Sequence, residues 1–269
     1  MLRGRPDNDG TSVAGAARPD RYGCRVPLVA AAVCPHPPLL VPEVAGAAAP
    51  ELDDLRAACD DAVGRLLDSG ARRILVIGAA DRTADLDYPF RGSFAPWGLP
   101  LQVRLGSLPD DRGGGTDRLP LSLLVGAWLL GRRPVAGAGA TSWRMSTVAT
   151  DAPVEACVAL GARIGSNQPW ALLVMGDGSA CRGEKAPGYA DPRAEAYDRM
   201  VAKALADADA EALLDLDPVR SAQLRVAGRA PWQVLAGAAR AAGGDWRGEL
   251  RHHSAPYGVG YLVADWVRP

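Results

Sequence analysis

The chain has 269 residues, of which 48% are hydrophobic and 23% are charged, so it is long enough to bury a substantial core. Its formal net charge of -1 argues against a surface for nucleic acid and against one for anionic membranes. No apolar run approaches the roughly 20 residues that a membrane-spanning helix requires. The five cysteines contain no CxxC pair, so we expect a cytoplasmic protein without a disulfide framework or a zinc ribbon.

The first 25 residues are polar and rich in Gly and Pro, and they lack the hydrophobic segment of a signal peptide. This composition predicts a disordered N-terminal extension over residues 1–25. No internal repeat and no linker follow residue 27. Residues 26–269 are therefore predicted to form one domain.

Three short apolar runs have the composition of strands that are buried on both faces of a sheet. They cover residues 28–34, 73–78 and 170–176. Between the first two runs, apolar residues recur every three or four positions from Leu52 to Leu66, which predicts a helix that Gly70 ends. This strand–helix–strand unit has a crossover of the right length for parallel pairing.

The rest of the chain continues the alternation of strands and helices. A strand is predicted at 99–105, and helices are predicted at 119–131, at 152–165, after an Asp191-Pro192 cap, at 209–226 and at 230–242. Two final strands are joined by a short Pro-Tyr-Gly turn. The predicted fold is α/β: a three-layer α/β/α sandwich whose mixed, largely parallel central sheet ends in an antiparallel hairpin.

Chemically active side chains follow the three buried strands, at the carboxyl edge where open α/β sheets bind ligands. His36 stands in CPHPPLLVPE, whose prolines end the strand and stiffen the loop. A histidine with several carboxylates could hold a divalent metal; alternatively, His36 braces the loop by hydrogen bonding to the backbone. We expect His36, Asp81 and Asp177 to line one pocket. The full set of candidates is His36, Glu43, Asp81, Asp85, Asp177, Ser179, Cys181 and Glu184.

The loop GDGSACR after the third run contains two further possibilities. GDGS lacks both the GxGxxG spacing and the lysine of a phosphate-binding loop, so it predicts a tight turn with positive φ at Gly176 or Gly178. Cys181 stands beside Arg182 and Lys185, whose charges would lower the pKa of a nucleophilic thiol. No histidine is near it in sequence to act as its base.

Two pairs of residues have simpler interpretations. Cys59 and Cys157 lie on apolar faces of predicted helices, and we expect them to be ordinary core residues. His252 and His253 alternate between the two faces of a predicted strand. One of them can point inward, although histidine pairs on surface strands are usually solvated.

Three segments, taken in order, resemble the LigB-like family, which contains the catalytic chains of class III extradiol ring-cleaving dioxygenases. They are VAAAVCPHPPLLVPEVAG, LLVMGDGSACRGEKAPGY and APYGVGYLVADW. The resemblance is greatest to the actinobacterial LigB-like members, and Memo-like proteins share the fold. It covers about residues 27–267 and implies that residues 26–269 form a domain of this type, with an α/β/α sandwich fold.

The resemblance implies a mechanism in which iron(II) is held by two histidines and a glutamate, with open positions for a catechol and O2. A further histidine performs acid–base work. His36 matches the first ligand, and Asp81 is the nearest substitute for the second, because VIGAADRT contains no histidine. GDGSACR contains no acid–base histidine, so Asp177 and Cys181 are the candidate catalytic residues there. The glutamate ligand has no assigned counterpart.

Three functions remain open at this stage. The first is metal-dependent oxidation of a catechol-type aromatic, with Fe(II) as the resemblance implies. A set of His36, Asp81 and another carboxylate would instead favour Mg²⁺ or Mn²⁺. The second is a non-catalytic relative that binds a small molecule or a protein partner, with or without a metal. The third is a hydrolase or transferase that uses Asp177, Cys181 or Ser179. A homo-oligomer is compatible with all three.

Overall fold

The computed structural model describes residues 1, 28–106, 115–133, 142–165 and 168–268. Apart from Met1, the N-terminal extension predicted over residues 1–25 lies outside the described residues. The strands are β1 (Leu28–Cys34), β2 (Arg73–Ala80), β3 (Ala84–Asp85), β4 (Phe90–Ser93), β5 (Gln102–Leu105), β6 (Ser142–Ala149), β7 (Trp170–Met175), β8 (Arg247–Ser254) and β9 (Tyr261–Val267). The helices are α1 (Pro42–Ala45), α2 (Asp53–Asp68), α3 (Leu121–Gly131), α4 (Val154–Arg163), α5 (Arg193–Ala206), α6 (Ala210–Leu214), α7 (Pro218–Gln223) and α8 (Arg229–Ala242).

In the described residues, the main sheet has seven strands in the order β3-β6-β2-β7-β1-β9-β8. The four central strands β6, β2, β7 and β1 are parallel. Antiparallel pairs stand at both sides: β3 pairs with β6, and the hairpin of β8 and β9 pairs with β1 through β9. The predicted α/β fold with a mixed central sheet and a C-terminal antiparallel hairpin is confirmed.

The side chains of the central strands alternate between two hydrophobic cores. In β1, Ala31 and Val33 face the core formed with α4, α5, α6 and α8, whereas Ala30, Ala32 and Cys34 face the core formed with α2 and α3. Both faces of the sheet are therefore covered, which explains why these strands have continuous apolar sequences. Full burial of each Leu, Val or Ile in these cores stabilises the fold by about 1.5–3 kcal/mol.

The connections between the parallel strands leave alternate faces of the sheet. The chain goes from β1 to α2 and from β2 to α3 on one face, and from β6 to α4 and from β7 to α5 on the other. Each neighbouring pair among β6, β2, β7 and β1 thus sends its chains to opposite faces. Such pairs open crevices at their carboxyl ends, which is where ligands bind in open α/β sheets.

Two strands differ from the sequence-based expectation. The strand predicted at 99–105 is shorter, and it pairs with β4 in a separate two-stranded sheet. Strand β6 was not predicted, because Ser146 and Thr147 interrupt its apolar run although both are buried. Their hydroxyls find partners: Thr147 Oγ1 donates to the carbonyl oxygen of Arg82 at 2.7 Å, and Ser146 Oγ donates to Asp85. Hydrogen bonding makes these polar residues acceptable inside the sheet.

The helix ends follow local chemistry. Helix α2 ends before Gly70, which has φ = +77° as expected for a residue that stops a helix. The predicted helix at 209–226 is two helices, because Asp209 and Asp217 each cap a new one: their carboxylates accept the backbone N–H of Ala212 at 3.0 Å and of Arg220 at 2.7 Å. In the described part of the chain, the helices are all too short or too polar to cross a membrane.

Candidate functional site

The loops after β1 and β7 meet at the crevice between these two strands. The backbone N–H of Gly176 donates to the carbonyl of Cys34 at 2.9 Å, so the strands stay paired to their ends. The backbone N–H of His36 then donates to Asp177 Oδ1 at 2.7 Å, and His36 Nδ1 lies 3.6 Å from the same oxygen. The structure therefore brings His36 and Asp177 together. His36 is only 8% exposed, so the prolines hold a nearly buried imidazole at this crevice.

The charge of the same carboxylate also acts on a buried tyrosine, Tyr261. Burial raises the pKa of Tyr261, and the negative charge of Asp177 raises it further. Tyr261 is the first residue of β9, which is the neighbour of β1 in the sheet. The Tyr261 phenol is neutral around pH 7, as an ordinary tyrosine is, and the Asp177 charge reinforces that state.

Two buried polar atoms have no hydrogen-bond partner among the described residues: His36 Nδ1, which lies beside Asp177, and Trp232 Nε1, which lies beside Gly176. Trp232 lies in the first turn of α8, and a Cβ added to Gly176 would stand 3.1 Å from its indole nitrogen. The neighbouring Gly228 donates its N–H to the Asp177 carbonyl at 2.8 Å. An indole N–H can only donate, so the partner that Trp232 lacks is an acceptor. Each unsatisfied group costs about 1–3 kcal/mol.

The sequence did not predict a role for Trp232. A tryptophan at helical spacing among apolar residues has the pattern of a core residue, and Trp232 is indeed fully buried. Only the three-dimensional position of its N–H, against the loop that carries Asp177, distinguishes it from other core aromatics.

A buried carboxylate on α5 fixes the loop that carries Asp177. Asp198 is fully buried, and it accepts hydrogen bonds from the backbone N–H of Ser179 at 2.8 Å, from Ser179 Oγ at 2.7 Å and from Arg182 Nη1 at 3.3 Å. A Cβ on Gly178 or Gly260 would collide with this carboxylate. The predicted positive φ at Gly176 or Gly178 is wrong; glycine is required there because Trp232, Gly228 and Asp198 leave no space for a side chain.

The two candidate nucleophiles of this loop are not available for reaction. Ser179 is fully buried and its hydroxyl donates to Asp198. Cys181 is 3% exposed, and burial raises the pKa of its thiol, with a further contribution from the charge of Asp191. The predicted lowering of the Cys181 pKa is therefore wrong, because burial outweighs the opposing charge of Arg225. Glu184 is exposed on the same loop.

Asp81 follows β2 and lies in a different setting from His36. It is exposed, and it lines two clefts on either side of the end of β2, neither of which is lined by His36 or Asp177. The larger cleft, of about 1240 Å³, also contains Asp85, Asp87, Asp117 and Trp97. The smaller one, of about 650 Å³, lies beside α7 and the loop after β6. The sequence predicts one pocket shared by His36, Asp81 and Asp177. In the structure, His36 and Asp177 lie together, whereas Asp81 lines two other clefts.

The residues of this edge do not supply the ligand set that the resemblance implies for Fe(II). Among the residues that the structure describes, no group of three or more His, Cys, Asp or Glu side chains is placed to hold a metal ion. His36 has one carboxylate beside it, and the other two histidines, His252 and His253, lie on β8. Glu43 is exposed on α1. We therefore derive no chemical step through iron.

The histidine pair on β8 makes the stability of the protein sensitive to acid. Burial lowers the pKa of both His252 and His253 below 6.5. The unfolded chain therefore binds more protons than the folded chain as the pH falls below about 7, and stability decreases in that range. We expect the melting temperature to fall less between about pH 7.5 and pH 5.5 when both residues are replaced by Gln. An unchanged pH dependence in the double variant would contradict this assignment.

No protein-family model matches the chain, and no curated protein matches it. Among solved structures, the chain is similar to the crystal structure of an uncharacterized protein from Escherichia coli K12. The two share 10% sequence identity with a TM-score of 0.46, over 89% of this chain and 99% of that chain.

Proposed function

We propose that the protein is a relative of the LigB-like class III extradiol dioxygenases that binds a small aromatic molecule without cleaving its ring. The binding place is the crevice between β1 and β7. The order of the three resembling segments and the position of His36 after β1 support the relationship. Free thiols at Cys34, Cys59, Cys157 and Cys181, all buried, suit a reducing compartment such as the cytoplasm.

One observation carries this proposal: an imidazole whose Nδ1 has no hydrogen-bond partner among the described residues lies 3.6 Å from a carboxylate at one crevice of the sheet. A catechol-type molecule carries hydroxyl groups that both donate and accept. It can donate one hydroxyl to the Asp177 carboxylate and form a second hydrogen bond with His36 Nδ1, which has no partner among the described residues. A hydrogen bond to a charged group is worth about 1.5–3 kcal/mol and a neutral one about 0.5–1.5 kcal/mol, so the two contacts together are sufficient to select a hydroxylated ligand.

Ring cleavage is not part of the proposal because the donor set differs from the one that the enzymes use. One imidazole beside one carboxylate is a weak site for iron(II). The hydrolase or transferase alternative is weakened at two of its three candidate residues, since Ser179 donates to Asp198 and Cys181 is buried with a raised pKa; the third, Asp177, serves ligand binding in this proposal.

The test is a calorimetric titration of the full chain with catechol, with His36→Ala compared against His253→Ala. We expect catechol to bind, and His36→Ala to weaken binding about tenfold or more through the lost contact at the crevice. His253→Ala removes a histidine from β8, outside the crevice, and should bind catechol like the unchanged protein.

A parallel measurement tests whether the protein catalyses ring cleavage. The protein is incubated anaerobically with ferrous iron, freed of unbound metal, and mixed with catechol and O2. We expect no stoichiometric iron and no O2 consumption. Retention of one iron per chain together with catechol-dependent O2 uptake would establish dioxygenase activity instead, and failure of catechol to bind at all would refute the ligand class.

A further inference from the structure

The smaller cleft beside Asp81, which we call the Arg229 cleft, has the dimensions of a ligand site. Its volume of about 650 Å³ lies within the range of about 300–1,000 Å³ that is usual for small-molecule pockets. It opens at the carboxyl ends of β2 and β6, between the loop after β6 and α7. Its lining includes Arg229, Asp81 and Asp151 together with apolar residues in and after α7.

A buried cation forms one wall of this cleft. Arg229 is 3% exposed. Its Nη1 donates to the Ala152 carbonyl and to Gln233 Oε1, and its Nη2 donates to the Thr150 carbonyl. All three acceptors are neutral, and within the described residues Arg229 forms no ion pair with a carboxylate. Three of the five guanidinium N–H groups are used in this way, which leaves two for another acceptor.

The charge of Arg229 affects the groups around it. Burial raises the pKa of the Cys157 thiol, and the positive charge of Arg229 opposes that rise. A buried charge is costly unless an opposite charge accompanies it. An anion in the cleft would be stabilised where Arg229 lines it.

The remaining walls indicate what kind of anion fits. Pro218, Val219, Ala222 and Val226 give the cleft an apolar side, suited to the hydrocarbon part of a ligand. Asp81 and Asp151 are exposed residues of the lining and bring two negative charges to the cleft. They disfavour phosphates and other multiply charged anions more than a single carboxylate, because like charges repel in proportion to their product.

We propose that the Arg229 cleft binds a monocarboxylate with an apolar body, whose carboxylate pairs with Arg229 and whose hydrocarbon part contacts the apolar residues of α7. This site goes beyond the function proposed for the crevice between β1 and β7. The two are separable by charge: catechol carries no charge to form an ion pair with the guanidinium, whereas a carboxylate would be repelled by the Asp177 carboxylate at the other crevice.

The first test compares benzoate with benzamide and with inorganic phosphate, by calorimetry on the full chain. Benzamide has the same shape as benzoate but no charge. We expect benzoate to bind about tenfold or more tightly than benzamide, because only benzoate forms an ion pair with the guanidinium, and we expect phosphate to bind more weakly than benzoate. Equal binding of benzoate and benzamide, or no binding of benzoate, would overturn the proposal.

The second test places the site at the cleft without disturbing the buried arginine. Val219 is 66% exposed on the cleft wall, so Val219→Asp should leave the fold intact and repel the carboxylate. Met200→Asp adds the same charge at an exposed apolar residue of α5 that does not line the cleft. We expect Val219→Asp to weaken benzoate binding about tenfold while Met200→Asp leaves it unchanged; equal effects of the two variants would refute the location.

Two further variants distinguish ligand binding at the Arg229 cleft from a purely structural role of Arg229. Asp151→Asn removes one repelling charge and should tighten benzoate binding, whereas an arginine that only ties the loop after β6 to α8 predicts no change. His36→Ala should leave benzoate binding unaltered. A loss of benzoate binding in His36→Ala would assign the carboxylate to the other crevice and overturn the proposal.

Discussion

Replacing Asp198 with alanine is expected to lower the free energy of unfolding by about 3–5 kcal/mol, the cost of breaking a buried charged pair from one side. The substitution leaves the backbone N–H and the hydroxyl of Ser179 without their acceptor, and both are buried. It also removes the counter-charge of Arg182. Urea unfolding, followed by tryptophan fluorescence, measures the change directly.

The matched control for Asp198 lies on the exposed face of the same helix. Glu195 pairs with Arg199 one turn away, and both side chains are mostly exposed. Glu195→Ala should therefore cost no more than about 1 kcal/mol, as is usual for surface pairs. If Asp198→Ala and Glu195→Ala lower the unfolding free energy equally, the loop after β7 is not held by the Asp198 carboxylate.

The second large effect is expected where α4 and α8 touch through their backbones. A Cβ on Gly161 would lie 2.6 Å from the backbone nitrogen of Ala238, and one on Gly237 would lie 2.7 Å from the Cα of Val158. These obstacles are backbone atoms, which cannot rotate away, so Gly161→Ala must push the helices apart. We expect a net destabilisation of about 1–3 kcal/mol from overpacking, despite a gain of about 1 kcal/mol in helix propensity.

Gly131 provides the control for this prediction, because it is exposed in the last turn of α3 and an added Cβ would meet no atom within 4 Å. Gly131→Ala should be neutral or slightly stabilising, since only helix propensity changes. Thermal melts of both variants compare the two glycines. A Gly161→Ala variant as stable as Gly131→Ala would show that the close approach of α4 and α8 is not required.

The strands could be predicted from sequence where burial alone determines composition. The three continuous apolar runs and the period of α2 identified the central sheet and its crossover, because a strand covered on both faces tolerates few polar residues. Strand β6 could not be predicted from apolar composition. Ser146 and Thr147 are buried in it only because Asp85 and the Arg82 carbonyl accept their hydroxyls, and those partners are more than 60 residues away.

The candidate site could be predicted only in part for the same physical reason. The prolines around His36 act locally, so its position at the end of β1 was readable from sequence. Asp177 lies against His36 because β7 is the neighbour of β1 in the sheet. Local sequence patterns do not contain this strand order. The environments of Cys181, Asp198 and Trp232 depend on packing between distant segments, and their roles became visible only in the assembled fold.

The backbone contact between α4 and α8 has a consequence for recognition. Helix α8 carries Arg229 and Trp232 in its first turn, one at the wall of the Arg229 cleft and the other against Gly176. Because Gly161 and Gly237 let the two helices meet without intervening side chains, α8 has little freedom to slide along its neighbour. Both side chains are thus set in position during folding. A ligand in the proposed Arg229 cleft would meet a pre-organised donor, and its binding would lose little conformational entropy on the protein's side.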